Sequence, residues 1–105
     1  MEFGKIEKVI LIYLGLEMTK SPKLIKRTKI TTDIRKILGR DDKNFAVVLN
    51  NALTRLFKEK DLVFRRYSKV GINKKGKQIA HDLFSEIKKQ HAGKIRGWND
   101  ILKYI

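Results

Sequence analysis

"NNALTRLFKEKDLVFRRYSKVGINKKGKQIA", Asn50 to Ala80, decides the fold, because its hydrophobic period changes midway. Up to about Lys60, Ala52, Leu53 and Leu56 continue an apolar face begun at Phe45 and Leu49, the three-and-four spacing of a helix over Asn44 to Lys60. From Leu62 to Tyr67 the strand formers Leu62, Val63, Phe64 and Tyr67 take over. Gly71 and Asn73 close the stretch, which predicts a two-stranded ribbon: Leu62 to Tyr67, a turn near Ser68 and Lys69, and a return over Val70 to Asn73. Lys74 to Gln90 is helical again, with Ile79, Ala80, Leu83, Phe84 and Ile87 inward.

Upstream, Phe3, Ile6, Val9, Ile10, Tyr13, Leu14 and Leu16 predict a helix from Phe3 to about Met18. Its apolar arc is wide, so one face is expected in the core and another, through Ile6, Ile10, Tyr13 and Leu14, against a second subunit. Pro22 interrupts the helical pattern, either by pushing Ser21 out of helical backbone or as the first residue of a short turn capped by Ser21, and either way the chain reverses here. "KITTDIRKILG", Lys29 to Gly39, reads as a short helix capped by Thr31, with Asp33 at the positive end of its dipole and a left-handed Gly39 as its stop. Asp41 or Asp42 is the expected cap of the next helix. "WNDILKYI" ends the chain with Trp98, Ile101, Leu102 and Ile105 as further dimer contacts, and Trp98 and Tyr104 as dimer or core aromatics, with stacking on a nucleic-acid base as their lesser use.

At 105 residues the chain is one domain over 1–105, with 1–18 and 91–105 as dimerisation elements and a homodimer as the expected assembly. Its 25 Lys+Arg against 11 Asp+Glu give a net charge of +14. Lys20 to Arg40 holds eight basic residues and one acid, and Arg65 to Lys77 holds six basic residues and none. Solvated faces mix signs, so two such stretches point to a polyanion.

The order helix, helix, helix, ribbon, helix resembles the winged helix-turn-helix family over roughly Lys5 to Gln90. MarR-type, PadR-type and similar archaeal regulators end the third helix with a leucine, charged residues, a small turn residue and Leu-Val. Here "LFKEKDLV", Leu56 to Val63, matches, with Asp61 where glycine is usual. The phrase that enters their last helix is matched by "INKKG", Ile72 to Gly76, with Asn73 as N-cap in place of threonine. Met18 to Thr28 is longer and more basic than the family's usual first connection. Compact members of this size are common in archaeal viruses and plasmids, a source with which the Lys/Ile-rich composition is compatible. The resemblance implies an α+β, mostly helical fold: three N-terminal helices, a two-stranded β-wing and C-terminal helices.

It also implies a double-stranded DNA partner and a role in transcription regulation. The helix over about 44–60 becomes the recognition helix in the major groove, with Val47, Val48, Asn50, Asn51, Thr54 and Arg55 as base-reading residues. Asn pairs with adenine and Val packs on thymine methyls, which suggests A/T-containing sites. Thr31 and Thr32, offering hydroxyls and free amides, with Lys36, Arg40, Lys43 and Lys58, are the expected backbone contacts. Arg65, Arg66 and Lys69 form the wing, on the DNA backbone or in the minor groove, although strand alternation puts the two arginines on opposite faces. The competing readings are architectural DNA binding with little base readout, structured RNA, and an adaptor for an acidic protein.

Other classes of function find little support. The chain has no cysteine, and its two histidines, His81 and His91, stand among no clustered carboxylates, so neither a metal nor another cofactor is expected. Asp82 and Glu86, spaced i, i+4, are expected to pair with lysines. No nucleophile with an adjacent base and no glycine-rich phosphate loop occurs, so the expectation is a binding protein, not an enzyme, with no obligate small molecule. "VILIYLGL" is too short to span a bilayer and the N-terminus lacks a signal-peptide pattern, so a cytoplasmic location is expected.

Overall fold

The computed structural model describes residues 2–20, 24–95, 100 and 104, with the backbone alone for 16–20. The chain runs α1 (Lys5–Lys20), β1 (Ile25–Lys26), α2 (Arg27–Leu38), α3 (Phe45–Thr54) with a π-helical last turn (Arg55–Glu59), β2 (Val63–Arg66), β3 (Lys69–Ile72) and α4 (Lys74–Gln90). The architecture is therefore α+β and mostly helical. The three strands form one antiparallel sheet in the order β1-β3-β2. The expected ribbon is thus one strand short of the observed sheet, because β1 lies in the basic connection read as a turn.

α1 is the axis of the core. Val9 to Leu14, six consecutive residues, are all buried, so the helix is enclosed by α4, α3, β3 and α2 rather than half-covered. Ile10, Tyr13 and Leu14, expected to face a second subunit, are fully buried within the one chain, and Ile6 packs against the same core. The wide apolar arc serves the monomer's own core. Trp98, Ile101, Leu102 and Ile105, like Ser21 and Pro22, lie outside the described residues. Tyr104 stacks on His91, ring centroids 4.1 Å apart.

Two helix starts differ from expectation. α2 begins at Arg27, whose amide donates to the Ser68 carbonyl at 2.9 Å, so Thr31 and Thr32 sit in its second turn. There the Thr31 and Thr32 hydroxyls donate back to the Arg27 and Thr28 carbonyls. Asp33 is consequently far from the dipole's positive end; its carboxylate accepts from the Tyr13 hydroxyl at 2.5 Å and from Lys29 at 2.8 Å. α3 has Asn44, not Asp41 or Asp42, at its N-cap position, and no side chain caps it.

Several local signals are met. Gly39 ends α2 at φ 65, with the Arg40 amide reaching back to the Arg35 carbonyl at 3.0 Å. Asp61 takes the left-handed conformation at φ 52. The Asn73 side chain caps α4 by accepting from the Gly76 amide at 2.7 Å. Gly76 is required by contact: a Cβ there would stand 2.3 Å from the Leu62 carbonyl oxygen.

The turn of the hairpin falls one residue earlier than expected, on Tyr67 and Ser68, with Arg66 paired to Lys69. Tyr67 supplies the positive φ, 60, that a tight two-residue turn demands.

Candidate nucleic-acid interface

α2 and α3 enclose an open cleft lined by Arg27, Thr28, Thr31, Thr32, Val47 and Asn50, with Ala46 on its α3 wall. Apart from Arg27 its lining is uncharged. A second cleft, lined by Arg27, Arg65, Tyr67, Ser68, Lys69 and Val70, opens beside the hairpin. Arg27 belongs to both. It therefore joins the α2–α3 surface to the hairpin tip, a role that a helix capped at Thr31 does not reveal.

The expected base-reading side chains divide into free and occupied groups. Val47, 60% exposed, and Val48, 37% exposed, leave apolar surface in water at the start of α3. Asn51 is exposed and its side-chain amide makes no hydrogen bond to another described residue. Asn50 is half-buried, and its Oδ1 accepts from Arg27 Nη1 at 3.3 Å. Because arginine only donates, this contact fixes the amide with its oxygen toward Arg27 and leaves its NH2 as the outward group.

Thr54 and Arg55 are committed elsewhere. The Thr54 hydroxyl donates to the Asn50 carbonyl at 2.9 Å and accepts from Arg65 Nη2 at 3.3 Å. Arg55 Nε donates to Glu7 Oε1 at 3.0 Å, and Lys60 donates to the other Glu7 oxygen. Glu7 is only 4% exposed. Burial alone raises its pKa, but the hydrogen bonds and charges of Lys60 and Arg55 outweigh that and hold the carboxyl below its ordinary value. The π turn brings both cations onto the one acid: the Lys60 amide closes to the Arg55 carbonyl at 3.1 Å, five residues back. In sequence Glu7 reads as one of several surface acids, so nothing local marks the site.

The expected backbone cations also divide. Lys36 is exposed one turn beyond Thr32 on α2, and Lys43 and Lys58 are exposed in the α2–α3 turn and on the π turn. Arg40 is occupied: its Nε and Nη2 donate to the two Asp42 oxygens at 2.8 and 3.0 Å, and its guanidinium lies 5.0 Å from the Phe45 ring centroid. The hydrogen bonds from Arg40 hold Asp42 below the usual carboxylate range. Thr31 and Thr32 keep their place on the cleft wall, but their amides lie inside α2 and are not free to meet a phosphate.

No family model, no curated protein and no solved structure matches this chain.

On the hairpin, alternation separates the two arginines. Arg65 pairs with Val70 on the core-facing side, where its guanidinium folds over Phe57, 5.6 Å from the ring centroid. Arg66 pairs with Lys69 on the outer side, and both are exposed. The free cations of the hairpin are thus Arg66 and Lys69, while Arg65 braces the hairpin against the end of α3. His81 is exposed, with its Nδ1 3.8 Å from Asp82 Oδ1, and that oxygen accepts a hydrogen bond from Gln78 Nε2 at 3.0 Å rather than from a lysine. Among the described residues no group of three or more His, Asp or Glu side chains is placed to hold a metal ion. No helix among them is long and apolar enough to cross a membrane.

Proposed function

We propose that this chain is a sequence-specific double-stranded DNA-binding protein of winged helix-turn-helix arrangement, with α3 as the recognition helix and the β2–β3 hairpin as the wing. The observation that carries this reading is the exposed, uncharged stripe of Val47, Val48 and Asn51 beside the α2–α3 cleft, on a chain of net charge +14. A solvated helix on so basic a chain would present charge there. A major groove instead takes amides against base edges and aliphatic carbons against thymine methyls. Lys36, Lys43, Lys58, Arg66 and Lys69 then meet phosphates on either side. A role in transcription regulation follows from the family resemblance alone.

The base-reading set is smaller than the sequence implied: Val47, Val48, Asn51 and the NH2 group of Asn50 remain once Thr54 and Arg55 are committed. That reduction favours a second reading, architectural DNA binding dominated by phosphate contacts.

Titration against a pool of duplex fragments at about 50 and 200 mM salt separates the two, since phosphate-only binding weakens by orders of magnitude across that range. Fragments retained at the higher salt establish base readout. Uniform loss across all fragments establishes the architectural reading, and preference for folded RNA overturns both. A homodimer remains part of the proposal, resting on residues 91–105 now that α1 is enclosed. Sedimentation at micromolar concentration showing monomer alone removes it.

A further inference from the structure

The sheet carries a feature that the α2–α3 cleft does not account for. Its register aligns Lys26 of β1, Lys69 of β3 and Arg66 of β2 in one row across three strands. Residues in such a row leave the sheet on the same face, about 5 Å apart, where like charges repel. All three are exposed, and none is paired with an acid among the described residues.

Tyr67 stands beside this row. Its ring is 100% exposed and its backbone is left-handed at φ 60, a conformation that strains a bulky residue. Glycine or asparagine suits such a turn without that strain, and a ring that buries nothing returns no stability to the fold. The turn itself is fixed on both sides, by the pairing of Arg66 with Lys69 and by the Arg27 amide on the Ser68 carbonyl. The turn therefore holds an aromatic ring in water beside a row of cations. Nucleic acid matches that pattern: a base presents a π face to the ring, and its flanking phosphates meet the cations.

We propose that the hairpin tip is a nucleobase-stacking site, with Tyr67 stacking on an unstacked base and Lys26, Arg66 and Lys69 holding the adjacent phosphates. The site rests on the DNA reading above and adds to it a contact mode and a residue, Lys26, outside the expected interface. The base comes from a deformable step of a duplex or from an unpaired nucleotide, which offer the same face.

The test measures affinities of the wild-type chain, Tyr67→Ala and Tyr67→Gly for three DNAs of one sequence: an intact duplex, the duplex with a one-nucleotide bulge, and the single strand. Titrations run at about 50, 100 and 200 mM salt. Both variants are expected to bind about tenfold more weakly wherever the base is presented, by the same factor at every salt, because stacking releases no counterion. Lys26→Gln is expected to reduce the slope of log affinity against log salt by about one. Tyr67→Gly relieves the backbone, so a Tm at or above wild type shows that its lost affinity is not misfolding. Weakening on the intact duplex assigns the base to a duplex step, and weakening confined to the bulged or single-stranded DNA assigns it to an unpaired nucleotide. Equal affinity of wild type and both tyrosine variants on all three DNAs overturns the stacking site and leaves the DNA reading standing. A wild-type chain that binds none of the three overturns both.

Discussion

Arg55 reaches back across the molecule to Glu7, Nε to Oε1 at 3.0 Å, and so ties the end of α3 to the first turn of α1. Lys60 completes the cluster on the second Glu7 oxygen. The cluster joins a sequence-distant pair of elements through a nearly buried acid, and its failure is expected to appear in stability before it appears in binding. Glu7→Gln should destabilise the fold by about 2 kcal/mol, since it removes the negative charge and turns an NH2 donor toward one of the two cations. Arg55→Gln should lower Tm while leaving the order of preference among duplexes unchanged. A change in that order would return Arg55 to the base-reading set.

The pH dependence of stability follows from the same acid. The folded carboxyl titrates below its ordinary value of 4.5, so near and below that pH the unfolded chain binds more protons than the folded one. Stability from Glu7 is complete above that value and is lost as pH falls through the lower, folded one. Asp33, held below its ordinary value of 3.8 by Lys29 and Tyr13 against the opposing effect of burial, acts with the same sign. Urea titrations between about pH 6 and 2 should show stability falling steadily with acid. The fall should be shallower in Glu7→Gln.

Asn50 and Asn51, neighbours in sequence, should respond differently to substitution. Asn51 presents both its oxygen and its NH2, which is what bidentate pairing with adenine requires, whereas the Asn50 oxygen is engaged by Arg27. Asn51→Ala should weaken binding to the preferred duplex about tenfold and flatten discrimination at one position. Asn50→Asp, which keeps an acceptor for Arg27 but removes the outward donor, should lose affinity with the Arg27 contact retained. Equal small effects at both positions would leave the phosphate-dominated reading.

What the sequence made legible was local. The α3 face at Phe45, Leu49, Ala52 and Leu53, the Asn73 cap and the Gly39 stop each depend on residues within a turn or two, and each is found where its spacing put it. What it concealed was long-range. β1 is two residues long and exists through pairing of Ile25 with Val70, which no window around "LIKRTK" contains. The start of α2 is set by the Ser68 carbonyl, which moved Thr31 from cap to second turn and hid Arg27. The same limit applies to Thr54, Arg55 and Arg40: residue type suggested free groups, and only tertiary contacts show them occupied.

The corner between α3 and β2 offers the sharpest test of the fold, because two backbone constraints meet there. Asp61 holds φ 52 while its carbonyl accepts from Asn73 Nδ2 at 2.6 Å, and the next carbonyl, that of Leu62, closes over Gly76. Asp61→Gly should stabilise by about 1 kcal/mol, since glycine adopts that conformation without a Cβ conflict and residue 61 contributes only its backbone carbonyl to the bond from Asn73. Asp61→Val should destabilise by about 2 kcal/mol, because a β-branched side chain resists positive φ most. Gly76→Ala should destabilise by about 3 kcal/mol, as the new methyl must displace the Leu62 carbonyl and with it the Asn73 cap. Chemical denaturation of the three variants checks the ranking. A stable Gly76→Ala would mean that the contact between α4 and the corner is looser than the structure describes, and the hairpin would lose the anchor that fixes it relative to α3.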